Sequence, residues 1–160
     1  MATPTDIDVV SRRGATGSIQ FGTHRQVIQS VGATRTLLAK EAGALCLLDA
    51  AAGNIYTLPV PVEGMTFEFL QTVSVTSNSS RVNTSSAAVF LLGSVTAVTI
   101  ATASPAGFSA NGTSIVTLSS NGTTSGGLIG SSYKVTAISA TQWGIDGVIV
   151  GSGVLVTPFA

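Results

Sequence analysis

From Val82 to Ala160 the chain carries two formal charges, Lys134 and Asp146, in 79 residues. Ser, Thr, Gly, Ala and β-branched apolar residues fill the rest. A helix in water keeps a charged face, whereas β-branched and hydroxyl side chains suit the pleated, half-buried surface of a sheet. Charge is also depleted where protein packs on protein, because charged groups are costly to desolvate. The stretch therefore predicts a β-rich unit that packs against copies of itself or against another assembly. Catalysis usually draws on charged or titratable side chains, and this half offers almost none.

The whole chain of 160 residues is 9% charged with zero formal net charge, against about 25% charged in an average soluble domain. An apolar content of 44% supplies a core, so global disorder is not expected. Neutrality gives no basis for bulk nucleic-acid binding. The single cysteine, Cys46, allows neither an internal disulfide nor a zinc site, and its neighbours Leu45, Leu47 and Leu48 suggest a buried, inert thiol. The first twenty residues lack an apolar h-region, so no signal peptide is expected. In a chain this rich in Asn, Ser and Thr, the N-x-[ST] matches at Asn78, Asn83, Asn111 and Asn121 are ascribed to chance. Ala87 to Ala103 is uncharged and about long enough to span a bilayer. Its Gly93-Ser94 break and its density of Thr and Val read instead as two buried strands joined by a turn.

Charge also divides the molecule. Residues 1–36 hold Arg12, Arg13, Arg25, Arg35 and His24, with acids only at Asp6 and Asp8, and glycines punctuate the stretch. It reads as an extended basic arm with short strands at Ser18–Phe21 and Arg25–Val31. The alternative is that the arm is itself a strand of the fold, packing through Ile19, Phe21, Val27, Ile28 and Val31. Residues 37–160 form the β domain. Ala44–Leu48 and Gly53–Leu58 are apolar runs, and Pro59-Val60-Pro61 marks a turn or an edge. Met65, Phe67 and Phe69 alternate with Thr66 and Glu68, the period of a half-buried strand, with a bulge expected at Leu70. Asn78–Ser86 reads as a polar loop. Further strands are expected at Ala87–Leu92, Val95–Thr102, Ile115–Leu118, Tyr133–Ile138, Trp143–Val150 and Val154–Phe159. Asn111-Gly112 and Asn121-Gly122 are hairpin signals, because Asn-Gly accepts the positive φ of type I′ turns. One helical turn or two is expected within Thr36–Ala44. About nine short strands make the fold class all-β: an antiparallel β-sandwich or jelly-roll-like barrel with an extended N-terminal arm.

No catalytic constellation emerges. His24 is the sole histidine and lies among Gly and Arg, so it pairs with no nucleophile. Glu63 and Glu68 are five apart, and Glu68 falls opposite Phe67 and Phe69 as a solvent-facing strand residue. G-x-S-x-G, Walker, H-E-x-x-H and G-x-G-x-x-G motifs are absent. Trp143 is assigned, with Phe67 and Phe69, to the core, sharing a face with Ile145, Val148 and Val150 through a bulge at Gly147. An exposed Trp143 would instead favour stacking on a sugar ring. The expectation is a non-enzymatic protein without cofactor or metal.

Leu47-Leu48-Asp49-Ala50-Ala51-Ala52-Gly53, Tyr56-Thr57-Leu58-Pro59, Gly64-Met65-Thr66-Phe67-Glu68-Phe69 and Thr141-Gln142-Trp143-Gly144-Ile145-Asp146-Gly147 form a pattern. It resembles a module of tailed-bacteriophage virion proteins, typical of capsid decoration (cement) proteins and of some tail and fibre proteins. The resemblance spans Leu37 to Val150. It implies an all-β virion protein on the capsid exterior, bound to the major capsid protein at subunit junctions, with no membrane or nucleic-acid partner. A homotrimer is expected, with Arg12, Arg13, Arg25 and Arg35 as the candidates for capsid contact. A tail or fibre protein that binds host carbohydrate is the alternative.

Overall fold

The computed structural model describes residues 25–29, 33–100 and 104–160. Its strands are β1 (Val27–Ile28), β2 (Thr34–Thr36), β3 (Leu45–Leu48), β4 (Ile55–Thr57), β5 (Thr66–Gln71), β6 (Ser80–Asn83), β7 (Phe90–Thr99), β8 (Ala106–Asn111), β9 (Thr117–Ser120), β10 (Ser132–Ser139) and β11 (Gln142–Gly151). The only helical element among the described residues is a 3-10 turn at Ala39–Glu41, inside the segment where one was expected. The molecule is all-β.

The strands form a seven-stranded sheet, β1-β3-β5-β10-β11-β7-β8, and a four-stranded sheet, β2-β4-β6-β9. Both are mixed, which corrects the antiparallel expectation. Strands β1 to β6 alternate between the two sheets, so each lies parallel to the strand two before it. Val27 pairs with Leu45, and Leu45 with Glu68, in the larger sheet. Thr34 pairs with Ile55, and Ile55 with Arg81, in the smaller. Parallel neighbours need a long crossover, usually a helix. Here the crossover is a strand of the opposite sheet, so parallel pairing arises with no α-helix.

One core lies between the sheets. Tyr56 of the smaller sheet meets Phe69 of the larger edge-on, with centroids 5.6 Å apart. Phe69 stacks on Tyr133 at 5.3 Å, and Phe67 meets Trp143 at 6.0 Å. Leu37, Leu48, Leu58, Val82, Leu91, Leu118 and Ile149 fill the space around these rings. Phe67, Phe69 and Trp143 are thus core residues, as expected; Trp143 has no exposed surface.

Several sequence expectations change. The basic segment is not separate from the β domain at Thr36, because β1 and β2 already pair within the sheets and Ile28 is buried. Ser18–Phe21, and with it Ile19 and Phe21, lies outside the described residues, as does Val31. Strand β5 runs straight through Leu70 to Gln71 without a bulge. Gln71 takes the inward position and its amide donates to the Leu48 and Val73 carbonyls at 3.1 and 2.6 Å. The polar loop contains β6, whose inward residues are Ser80 and Val82. In place of the two strands expected at Ala87–Leu92 and Val95–Thr102 there is one, β7, spanning Phe90–Thr99, and Gly93-Ser94 lies within it, with Gly93 at φ +136°. Strand β8 follows it as a hairpin. Neither Asn-Gly pair makes a hairpin, since each connection passes between sheets: β8 to β9, and β9 to β10. Their asparagines form side-chain turns instead. Asn111 Oδ1 accepts from the Thr113 and Ser114 amides, and Asn121 Oδ1 from those of Thr123 and Ser125. No register shift occurs at Gly147, so Ile149 rather than Val148 or Val150 joins Trp143 and Ile145 inside. Val154–Phe159 is not a strand; Phe159 alone bridges to Leu118.

Candidate functional site: a row of alternating charge on the outer sheet face

Alternation along each strand sends one side chain inward and the next outward. On the outward face of the seven-stranded sheet, one register line runs through Leu45, Glu68, Lys134, Asp146, Ser94 and Ser109. Arg25, two residues before β1, reaches past Leu45 and donates from Nη2 to Glu68 Oε2 at 2.5 Å. The charges therefore read plus, minus, plus, minus: Arg25, Glu68, Lys134, Asp146. The two isolated charges of the C-terminal half are cross-strand neighbours. With Leu70, Ser132 and Gly147 they line a shallow hollow of about 320 Å³.

The hydrogen bond from the Arg25 guanidinium holds the Glu68 carboxyl below its ordinary value; burial opposes it, and the charges of Arg25 and, least, Lys134 add to the lowering. Folding thus lowers the pKa of Glu68. The stabilisation is present above the unfolded carboxylate range and is lost as pH falls through the folded value. Both partners are more than a third exposed, so solvent screens the pair. Lys134 and Asp146 make no ion pair among the described residues.

Arg35 bonds Glu41 Oε1 at 2.6 Å, while Glu41 Oε2 accepts from the Leu38 amide at 2.8 Å. Glu41 is buried, so this arginine holds the 3-10 turn in place. Within residues 1–36 the sequence holds acids only at Asp6 and Asp8, yet Arg25 and Arg35 each bond a carboxylate farther along the chain. Arg12, Arg13 and His24 lie outside the described residues. Glu63 is exposed beside Gly64, and Glu68 faces outward as expected. Sequence reasoning missed the row because its members lie 43, 66 and 12 residues apart along the chain, and the charge pattern exists only in the register.

Two further groups bear on chemistry. Burial pushes the Cys46 thiol up to about 12, helped by the nearby Glu41 carboxylate. A thiol held protonated is neither nucleophile nor ligand. The Tyr133 hydroxyl is likewise raised by burial and has no hydrogen-bond partner among the described residues. No group of His, Cys, Asp and Glu among the described residues is placed to hold a metal ion. No described helix is long and apolar enough to cross a membrane.

The Asp49–Gly53 motif forms the turn between β3 and β4. Asn54 Oδ1 accepts from the Ala50 amide at 3.0 Å, and Ala51 O accepts from Thr76 N at 2.8 Å. Gly53 sits at φ +82°, where a Cβ would lie 2.4 Å from Ser79 O. These positions shape backbone. Comparison with protein-family models, with curated proteins and with solved structures finds no match to this chain.

Proposed function

We propose that the chain is a non-enzymatic structural protein, a two-sheet sandwich that works while packed into a larger assembly. The assembly that the Leu37–Val150 resemblance implies is a bacteriophage capsid, with the protein on its exterior. The observation that carries the reading is the exposure of large apolar side chains on a nearly chargeless surface. Val60, Val62, Ile100, Ile129 and Val154 are between 59% and 84% exposed. The first four lie in connections and Val154 follows the last strand, places where a free protein normally has polar residues. Covering such groups removes apolar area from water at about 25 cal/mol per Å².

Arg25 and Arg35 are already bonded within the chain, which leaves Arg12 and Arg13 as the candidates for contact with the major capsid protein. The carbohydrate-binding alternative calls for an exposed ring, and no aromatic residue among the described ones is exposed. Quantitative mass spectrometry of purified particles from the phage that encodes the chain tests the proposal. Hundreds of copies per particle are expected. A few or some dozens would place it in the tail, and absence from the particle would refute a virion role.

A further inference from the structure

The outward face of the seven-stranded sheet is broad, apolar in part, and crossed by a charge row whose order is its most specific property. The seven strands together hold 46 residues, which at about 4.8 Å by 3.3 Å each give a face of roughly 730 Å². A stable interface buries about 800 Å² on each partner. The size therefore suits one sheet laid on another.

The order of charge says which sheet. A plus-minus-plus-minus row read from either end is its own complement. Consider a two-fold axis parallel to the strands, lying between β5 and β10. Rotation about it carries each charge onto one of opposite sign. Arg25 comes to face Asp146 of the second copy, and Glu68 comes to face Lys134 of the second copy. The same rotation sets Leu47 of the next register line against Val148 of the second copy, and Leu70 against Ser132. Val148 is 41% exposed in the single chain, and this contact covers it. Strands remain aligned across the interface, which is how twisted sheets stack. A two-fold axis along the row would instead oppose like charges.

We propose that this chain forms an isologous dimer through the outward face of the seven-stranded sheet, with Arg25·Asp146 and Glu68·Lys134 pairs made twice. The pairing gives Lys134 and Asp146 the ion partners that they lack among the described residues of the single chain. It specifies register, since charge at an interface selects the partner and orientation more than it adds affinity. A two-fold contact of this kind also favours two chains over the three expected from sequence. The proposal does not rest on the shell reading, because the dimer forms or fails in the purified protein with no particle present.

The test is a charge-complementation experiment read by analytical ultracentrifugation at micromolar concentration. Wild type is expected as two chains per particle. Glu68→Lys makes the row plus-plus-plus-minus, and Lys134→Glu makes it plus-minus-minus-minus. Each variant alone opposes like charges at two places, and its dimer dissociation constant is expected to rise by about a hundredfold or more. Mixed in equal amounts, the two variants oppose unlike charges at every position. Their heterodimer is expected within about tenfold of wild-type affinity. A folding defect in either variant would not be cured by mixing. A monomeric or three-chain wild type, a variant that still dimerises alone, or a mixture that stays monomeric overturns the proposal.

Discussion

Replacing Gly93 by alanine isolates one demand that the seven-stranded sheet makes on its sequence. Gly93 lies in the middle of β7, opposite Ile145 of β11 and Ala110 of β8. Its φ of +136° is one that residues with a Cβ rarely adopt, at a cost of about 1–3 kcal/mol. An alanine Cβ would stand 2.1 Å from Ile145 O, a backbone atom in the centre of the sheet. Relief requires β7 and β11 to separate by about 1 Å, which breaks or lengthens at least two ladder hydrogen bonds of about 0.5–1.5 kcal/mol each. The expected loss is about 3–5 kcal/mol. With a urea m-value of about 2 kcal/mol/M, the unfolding midpoint falls by about 2 M. Gly107→Ala, in the adjoining strand β8, is the control: no atom lies within 4 Å of its added Cβ, so stability should hold within about 0.5 kcal/mol. Urea titrations of both variants by circular dichroism give the comparison. Equal midpoints would show that β7 does not approach β11 as described, and the reasoning would fail.

Trp143→Ala should cost about 3–5 kcal/mol in thermal unfolding, because the ring is fully buried against Phe67; native tryptophan emission should be blue-shifted and poorly quenched by iodide. Cys46 should resist a thiol reagent at pH 8 in the native protein and react at once in denaturant. Its folded pKa of about 12 keeps it protonated there, and the side chain is fully buried. Deleting residues 1–24 leaves every described strand in the chain. Deleting 1–36 removes β1, β2 and the buried Ile28, and should lower stability by more than the roughly 1.5–3 kcal/mol of that side chain alone.

The strands that the sequence announced are those whose alternation is carried by large side chains. Phe67 and Phe69 mark β5, Tyr133, Val135 and Ala137 mark β10, and Trp143 and Ile145 begin β11. The missed strands have inward residues of another kind. In β6 the inward Ser80 is buried because its hydroxyl accepts from the Asn54 amide, a partner 26 residues away. In β8, Ala-Gly-Phe-Ser-Ala-Asn has one large side chain in six residues. Gly93 was read as a turn because close approach to β11 and a reversal of direction call for the same residue. Parallel pairing left no local mark, since it is decided by which sheet each strand joins. The charge row shared that fate: all four members were visible as residues, and only register made them neighbours.

The position of β11 has a consequence for the order of assembly. It lies between β10 and β7, so it joins the β7–β8 hairpin to the rest of its sheet. Its partners in β7 precede it by 52 residues, as Phe90 does Gln142, whereas β1 meets β3 after only 18, as Val27 does Leu45. The first six strands can thus wind up turn by turn through short loop closures. The β7–β8 hairpin, although made earlier than β11, must wait beside them with a bare inner edge. A bare edge invites a strand from another molecule. On the ribosome or during refolding, the hazard is confined to the interval before Gln142–Gly151 inserts. Mispairing in that interval would exchange β11 between chains, so crowded refolding of this protein should yield domain-swapped species joined at β7.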